Sequence, residues 1–486
     1  MADDQNVEAE ALFQKMALSL AKGAPQGYRR ASLSARTDRH GMEDGVVTNV
    51  LANGRSRPGP QSFRKQLSRI HDLDGAGTET LSIELAVYPT GRFEALTSRA
   101  ISPSRHSGAG TGGHVYALDP DVPPPDIGDD QPGPLDAAQA GDPGEAVRLL
   151  RRHLEKRAEI FERPADLAEP LPEPLESTAI EDLAHTLGLD LPDDLRALYT
   201  VADGDGGAGL MDRHPWFGFR RLVDFCLGDR WWAARDTWCD HRVRDETSPP
   251  GVVRRSADRP GWIPFAESTG GDFLAVDMDP AQAGRPGQVI RIGRNHDAGA
   301  VFVADSVTTL LRLQLEALER GAYTCDAENA ELWIDAELPA RRGPSGPGTV
   351  RETGPRRDEV QVLSLTGETD LASLAGHPTL RMLTVKASGP VSLAPLRDCP
   401  RLYGLDLSQA WVRDIEAVSE MAGLLYLSLR HDQWTDLFER TDRLPALAAP
   451  ALAGAPTPGM LAEWASRFGP GGDGDGFRYH TGQLTV

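Results

Sequence analysis

A few clusters in this sequence combine residue types and spacing that could do chemistry. Asp277 and Asp279 lie two apart at the end of an apolar run. Two carboxylates on one strand face can hold a metal or share acid–base work. Asp279-Pro280 is equally a turn initiator, and no His or Lys is placed beside the pair, so a turn is expected. Asp203-Gly204-Asp205-Gly206-Gly207 follows an apolar helix pattern. Gly204 suits a left-handed helix cap, with Asp203 and Asp205 facing solvent. Asp72-Leu73-Asp74-Gly75-Ala76-Gly77 opens like a calcium loop, but Ile83 stands where a bidentate Glu is needed. His296-Asp297 could form a relay pair, yet no G-x-S-x-G elbow accompanies it. Gly108-Ala109-Gly110-Thr111-Gly112-Gly113 fits G-x-G-x-x-G as text. No buried strand leads into it and no helix follows before the prolines at 123–125, so a flexible loop is expected.

The four cysteines, Cys226, Cys239, Cys325 and Cys399, form no C-x-x-C pair and have no His at zinc-ligand spacing. They read as reduced, mostly buried thiols of a cytosolic protein. Zincin and kinase signatures are absent. Jointly these readings assign no catalytic, metal or cofactor-binding residue, no cofactor, and no enzymatic activity. Five of the nine tryptophans fall between Trp216 and Trp262. Trp262, at a strand start, is expected in the core. Trp231 or Trp232 is expected to be partly exposed, as aromatic anchors of binding sites are.

The charge balance narrows the partner. A net charge of -21 over 486 residues excludes the basic stripe that nucleic acid requires, and disfavours docking on an anionic membrane. It favours encounter with a basic protein. No stretch reaches the ~20 apolar residues of a membrane span, and the acidic N-terminus lacks a signal-peptide layout, so a cytoplasmic location is expected.

The elements that must position these residues fall into an α+β multidomain chain. Residues 7–105 are read as a small α+β domain. Its helix runs from Ala9 to Lys22, with Leu12, Phe13, Met16 and Leu20 on one face. SLSARTD and LSIELAVYPTGRFEAL alternate apolar and polar residues as half-buried strands do, and 89–91 forms a hairpin turn. Residues 106–141 are Pro-, Gly- and Asp-rich and read as a disordered linker. Residues 142–173 are a helix and connector, started by Asp142 at the N-cap and Pro143 at the first position.

The middle domain spans 174–325. Thr178 and Glu181 suggest a capping box, and Pro192 opens a helix that Gly204 closes. Strands follow at Trp262–Ala266, Phe273–Met278, Gln288–Ile292 and Ala300–Val303, then a helix begun by Asp305 or Ser306 and closed at Gly321.

After a second linker at 340–357, L-x-x-L-x-L recurs over 358–468. Its copies are Val360-Leu363-Leu365, Leu380-Leu383-Val385, Leu402-Leu405-Leu407, Leu424-Leu427-Leu429 and, more weakly, Leu444-Leu447-Ala449. A period of 20–22 residues resembles the leucine-rich repeat family, which implies a short solenoid. The usual Asn after the strand is replaced by Glu368, Ser388, Ala410 and Asp432, so irregular coils are expected. Such a solenoid presents its strand face for binding. That face would offer Met382, Thr384 and Lys386, then Asp406 and Ser408, then Tyr426, Ser428 and Arg430. Residues 469–486 read as a Gly-rich flexible tail, whose last residues could add an edge strand.

The strings LPDDLRALYTVADGDGG, WIPFAESTGGDFLAVDMDP, GQVIRIG and ADSVTTLLRLQLEALERG occur in this order. Together they resemble the SUKH superfamily, which contains fungal Smi/Knr cell-wall regulators and bacterial immunity proteins. The resemblance implies an α+β binding platform without catalytic residues. On that platform, partner contacts are expected at Asp203, Asp205, Trp231, Trp232, Glu267 and Asp272. The expected function is that of a bacterial immunity-type protein binding and neutralising a basic toxin domain. The alternative is a cytoplasmic scaffold or regulator using the SUKH-like and repeat domains.

Overall fold

The computed structural model describes residues 2–38, 41–59, 63–75, 80–104, 112–120, 122, 124–125, 127–162, 171–186, 188, 190–211, 213–227, 238, 249–256, 258–296, 299–326, 331–338, 361–367, 369–469 and 476–484. The linker reading at 340–357 lies outside them. In chain order the first elements are α1 (Ala2–Gly23), β1 (Tyr28–Asp38), β2 (Gly41–Leu51), β3 (Ser56–Pro58), α2 (Arg64–Asp74), β4 (Leu81–Val87), β5 (Arg92–Ser98), β6 (Ile101–Ser104) and β7 (Gly113–Tyr116). Then come α3 (Pro143–Ile160), α4 (Ser177–Thr186), α5 (Asp193–Tyr199), α6 (Phe219–Leu227), β8 (Trp262–Glu267), β9 (Asp272–Asp277), β10 (Gln288–Gly293), β11 (Val301–Ala304), α7 (Val307–Glu319), β12 (Tyr323–Asp326) and β13 (Glu331–Ile334). The last part holds β14 (Val362–Gly367), β15 (Met382–Ala387), β16 (Pro390–Val391), β17 (Gly404–Asp406), β18 (Trp411–Val412), β19 (Tyr426–Leu429), α8 (His431–Arg440), β20 (Ala449–Ala453), α9 (Pro458–Ser466) and β21 (Phe477–Gln483).

The chain divides into two compact units, and the first is built from both ends of the sequence: 1–124, 238–241 and 349–486. Its six-stranded sheet runs β21-β5-β4-β1-β2-β3. The β4–β5 hairpin turns where expected, with Gly91 at φ 81°. Phe13, Met16 and Leu20 of α1 and Leu67 and Ile70 of α2 pack on Leu33, Ile83 and Leu85, as the apolar face of α1 requires.

The second sheet of this unit runs β14-β15-β17-β19-β20-β7-β6. From β14 to β20 neighbours are parallel, and Leu363, Leu383, Leu405 and Leu427 stand opposite one another. Single 3-10 turns at Leu371–Leu374, Ala394–Leu396 and Ile415–Glu420 return the chain. The fifth, weaker copy is out of register, because Leu427 faces Pro450 and not Leu447. The cause is α8, a longer return than a 3-10 turn. In place of an Asn ladder, Gln433 donates to the carbonyls of Leu407 (3.0 Å) and Ala410 (2.8 Å), and Asp414 accepts from the Leu393 amide (2.9 Å). Glu368 lies outside the described residues.

Two stretches read as linker or tail are ordered parts of this unit. β7, inside 106–141, pairs with β20. Gly113 is required there, since a Cβ would sit 2.5 Å from the Leu452 carbonyl oxygen. β21, inside 469–486, pairs antiparallel with β5 along its whole length. Leu96, Ile101 and Tyr116 consequently share one core with the parallel ladder. Local composition hides β7, because pairing across such a sequence distance leaves no local periodicity, whereas β21 is the edge strand that the last residues could add. Deleting 476–486 is expected to cost about 2 kcal/mol or more and to open β5 as an unprotected edge. Thermal melts followed by circular dichroism and light scattering measure both effects.

The second unit comprises 125–237 and 242–348. A four-stranded antiparallel sheet, β11-β10-β9-β8, carries Phe265, Phe273, Val276 and Ile290 into a core shared with α5 and α7. α3 belongs to the same core through Ala146, Leu149 and Leu150, so it is no mere connector. Asp142 caps it by accepting from the Glu145 amide at 2.7 Å, and Ser306 caps α7. α4 starts at Ser177, which places Thr178 inside the helix and not at its cap. α5 ends at Tyr199, before Gly204. Residues 127–140, also read as linker, lie along this unit: the Leu135 and Ala140 amides donate to the carbonyls of Gln282 (3.0 Å) and Pro286 (2.9 Å).

Candidate protein-binding site

The loop after α5 is a run of left-handed glycines, with Gly204, Gly206, Gly207 and Gly209 all at positive φ. Its two acids do not both face solvent. Asp205 is 3% exposed, and its carboxylate accepts from the amides of Gly207 (3.0 Å) and Leu210 (2.9 Å). Burial raises its pKa above the ordinary carboxylate value. Half-buried Asp203 accepts from the Phe219 amide at 2.6 Å at the start of α6. The reason for the inward turn is backbone demand: a glycine-rich loop offers N–H groups that need acceptors.

The loop is tied to β8, since Phe217 N–H donates to the Phe265 carbonyl (2.8 Å) and Glu267 N–H to that of Pro215 (3.2 Å). These ties bring α6 beside the end of β8. Arg221, on α6, stands 2.5 Å from Glu267 and lies over the rings of Phe217 (4.5 Å) and Phe225 (5.7 Å). Phe217 and Phe225 stack at 5.0 Å. The result is a cation clamped between an aromatic pair and a carboxylate, with both charged ends reaching solvent. At the same end of the β8–β9 hairpin, just across the turn from Glu267, Asp272 accepts from the Asn295 backbone (2.9 Å) and side chain (3.0 Å).

The remaining acids are structural. Asp277 is fully buried and accepts from Gln288 Nε2 (2.8 Å) and from the Asp279 amide (2.9 Å). Asp279 faces Arg254 and Arg259, so the two carboxylates do not share a face. Asp194, buried, accepts from both the amide and the hydroxyl of Thr308 at 2.9 Å, joining α5 to α7, and burial raises its pKa. Asp72 and Asp74 end α2, where Gly75 supplies the left-handed cap, and Asp74 pairs with Arg99 at 2.8 Å. Among the described residues no group of His, Cys, Asp and Glu could hold a metal ion.

Of the sequence-predicted contacts, Glu267 and Asp272 lie side by side across the β8–β9 turn, Asp203 caps the start of α6, and Asp205 turns into the unit. Trp231, Trp232, Cys239, Asp297, Gly108 and Gly110 lie outside the described residues. Trp262 is fully buried, as expected of a strand start. Cys325 is exposed on the two-stranded β12–β13 hairpin, contrary to the expectation of buried thiols, whereas Cys399 is buried.

The strand face of the parallel ladder also departs from expectation. Met382, Thr384, Asp406, Ser408, Tyr426 and Ser428 are all buried. Trp238, which clusters with this unit, stacks on Tyr426 at 6.4 Å and meets Tyr403 edge-on at 6.5 Å. Met382 and Tyr426 join Val115 and Ala449 in a small core on that face. Lys386 and Arg430 stay half-exposed, and Arg430 is held by Asp432 (3.1 Å) and the Ser408 carbonyl (2.5 Å).

Sequence reasoning missed Arg221. Part of its signal was present: Arg221 and Phe225 lie four apart on α6, the spacing that puts side chains on one helix face, whereas Phe217 reaches the same place from the stretch before the helix, which no helical phase predicts.

Residues 174–313 match the SMI1 / KNR4 family (SUKH-1). Over 92 residues the chain is 36% identical to a KNR4/SMI1 homolog of Yarrowia lipolytica, covering 19% of this chain and 13% of that protein. It is 33% identical over 102 residues to the glucan synthesis regulatory protein of Neurospora crassa, covering 21% and 19%. It is 37% identical over 89 residues to the cell wall biosynthesis/cell cycle regulator smi1 of Schizosaccharomyces pombe, covering 18% of each. The matched part therefore spans less than a fifth of each of these relatives. No described helix is long and apolar enough to cross a membrane. Within this mixed α/β chain, residues 174–313 form an SMI1/KNR4-family (SUKH-1) domain.

Proposed function

We propose that this chain is a non-catalytic, protein-binding regulator or scaffold acting in the cytoplasm. Its SUKH-1 domain engages a protein partner through the face made by Arg221, Glu267 and the start of β9. The observation that carries this reading is the match over 174–313 together with relatives named as regulators of glucan synthesis and cell-wall biosynthesis. The acids with chemical potential support it from the other side. Asp205, Asp277 and Asp279 spend their lone pairs on backbone amides, Gln288 and arginines, which suits scaffolding and leaves none of the three free for acid–base work.

The parallel ladder supports reading 362–452 as leucine-rich coils. With its strand face buried, that ladder serves its own unit's packing, and the partner-binding role passes to the SUKH-1 domain. A toxin-neutralising role is the second reading, favoured by the net charge of -21, which suits a basic partner. The names of the relatives favour the regulator.

The test is affinity recovery from the native host with the full-length chain and with the charge-swapped double variant Arg221→Glu/Glu267→Arg, which preserves the ion pair while inverting the face. Recovery of the regulator's partner should fall at least tenfold in the swap. Equal recovery would remove this face from the function. A single basic toxin recovered by the wild type would establish the second reading instead.

A further inference from the structure

In the first unit, α8 and α9 leave a narrow cleft of about 130 Å³ between them. Helical spacing builds it. Trp434 and Phe438 lie four apart on α8 with Glu439 next in line, and Glu463, Trp464 and Arg467 come from the end of α9 and its C-cap. The floor is aromatic and rigid. Trp434 and Trp464 are 1% and 2% exposed, their rings stand 6.0 Å apart, and Phe468 meets each of them at 5.4 Å. Phe438, half-exposed, carries this floor out toward solvent.

The rim is charged. Glu439 and Glu463 are exposed, and neither makes an ion pair among the described residues. Arg467, also exposed, holds its guanidinium over the Phe438 ring at 4.9 Å without a carboxylate partner there. The Thr435 hydroxyl donates to the His431 carbonyl at 3.0 Å, which leaves its lone pairs for a ligand.

These groups select by charge and by width. Two unpaired carboxylates against one guanidinium give a net negative rim, and aromatic rings offer a cation their negative faces. Arg467 over Phe438 already places one cation on this floor. The burial of both tryptophans leaves no open ring face on which a sugar or a base could stack, so the ligand must be slender. A lysine side chain meets both demands, with an unbranched apolar stem and a compact point charge at its tip.

We propose that the α8–α9 cleft binds one lysine side chain presented by a protein partner. Its stem lies along Phe438 and Trp434, its ammonium is taken by Glu439 and Glu463, and it displaces Arg467 from the Phe438 ring. The net charge of -21 favours encounter with such a basic partner. The site uses α8 and α9, not the buried strand face of the ladder. It lies outside residues 174–313 and does not rest on the Arg221–Glu267 face.

The test is a titration of the full-length chain with N-acetyl-lysine methylamide. It is followed at the indole N–H resonances of Trp434 and Trp464, assigned with Trp434→Phe and Trp464→Phe. Cation–π and exposed ion-pair contacts to a single side chain should give a saturable shift with a Kd of about 1–30 mM. The norleucine analogue keeps the stem and lacks the charge, so it should bind at least about fivefold more weakly. Glu439→Gln/Glu463→Gln should weaken lysine binding about fivefold. Arg467→Ala uncovers Phe438 and should strengthen it about threefold. These variants alter exposed side chains only, so circular dichroism should show a near wild-type melt for each. Equal binding of the norleucine analogue, or no saturable shift up to about 50 mM lysine probe, would overturn the site. Weaker lysine binding in Arg467→Ala would overturn it too, by making Arg467 part of the receptor and not the occupant that lysine displaces.

Discussion

Replacing Trp434 by Ala should destabilise the first unit by about 3–5 kcal/mol, the range for truncating a buried large aromatic. Trp434 is 1% exposed, and its Nε1 donates to the Ala451 carbonyl at 2.9 Å, so it ties α8 to β20. Its ring meets Phe438 at 5.5 Å, Phe468 at 5.4 Å and Trp464 at 6.0 Å. Truncation leaves a large cavity in this cluster and removes the hydrogen bond from α8 to β20. The measurement is the denaturant midpoint for amide protection in β19 and β20. Trp434→Phe keeps most of the aromatic volume and forfeits the hydrogen bond, so it should recover more than half of the loss. If the alanine variant matched wild type, α8 would not be the anchor of the last coil.

Gly204→Ala should cost about 3 kcal/mol or more and damage the candidate binding face. The residue sits at φ 87°, where a Cβ alone costs about 1–2 kcal/mol. That Cβ would also lie 2.7 Å from the Gly218 nitrogen and 2.8 Å from the Trp216 carbonyl oxygen. Both are backbone atoms and cannot rotate away, and both flank the stretch that joins the loop to β8. Gly207 provides the internal control. It has φ 97°, but a Cβ there would meet nothing within 4 Å, so Gly207→Ala should show the conformational cost alone. Equal losses in the two variants, measured by chemical denaturation, would mean that close packing around Gly204 contributes nothing.

Much of the second unit was legible in the sequence because its signals are local. Asp142-Pro143 and Ser306 mark helix starts through their own side chains, and β8 to β11 stand out as short apolar runs. The burial of Asp205 was not legible, since D-G-D spacing carries no information on which carboxylate will find unpaired amides. The first unit shows the same division. The leucine period coincides with the parallel register of β14, β15, β17 and β19, where Leu363, Leu383, Leu405 and Leu427 stand opposite one another. It failed at β20, where α8 lengthens the return, and it could not reveal that β7 and β21 close sheets formed by distant segments. The strand face of the ladder looked free for the same reason: Trp238, far away in sequence, stacks on it. Arg221 was legible only in part: helical phase pairs it with Phe225 on α6, but Phe217, which precedes the helix, joins them through its tie to β8 and leaves no periodic trace.

The central claim is that the SUKH-1 domain binds a protein partner through the Arg221–Glu267 face. Calorimetric titration of the full-length chain with the recovered partner tests it most directly, comparing wild type with Arg221→Glu/Glu267→Arg at matched folded fraction. The swap should bind with a Kd at least tenfold weaker, about 1.4 kcal/mol, and melt slightly earlier because the cation–π contact with Phe217 and Phe225 is lost. An unchanged Kd would contradict it and place the binding surface elsewhere on the chain.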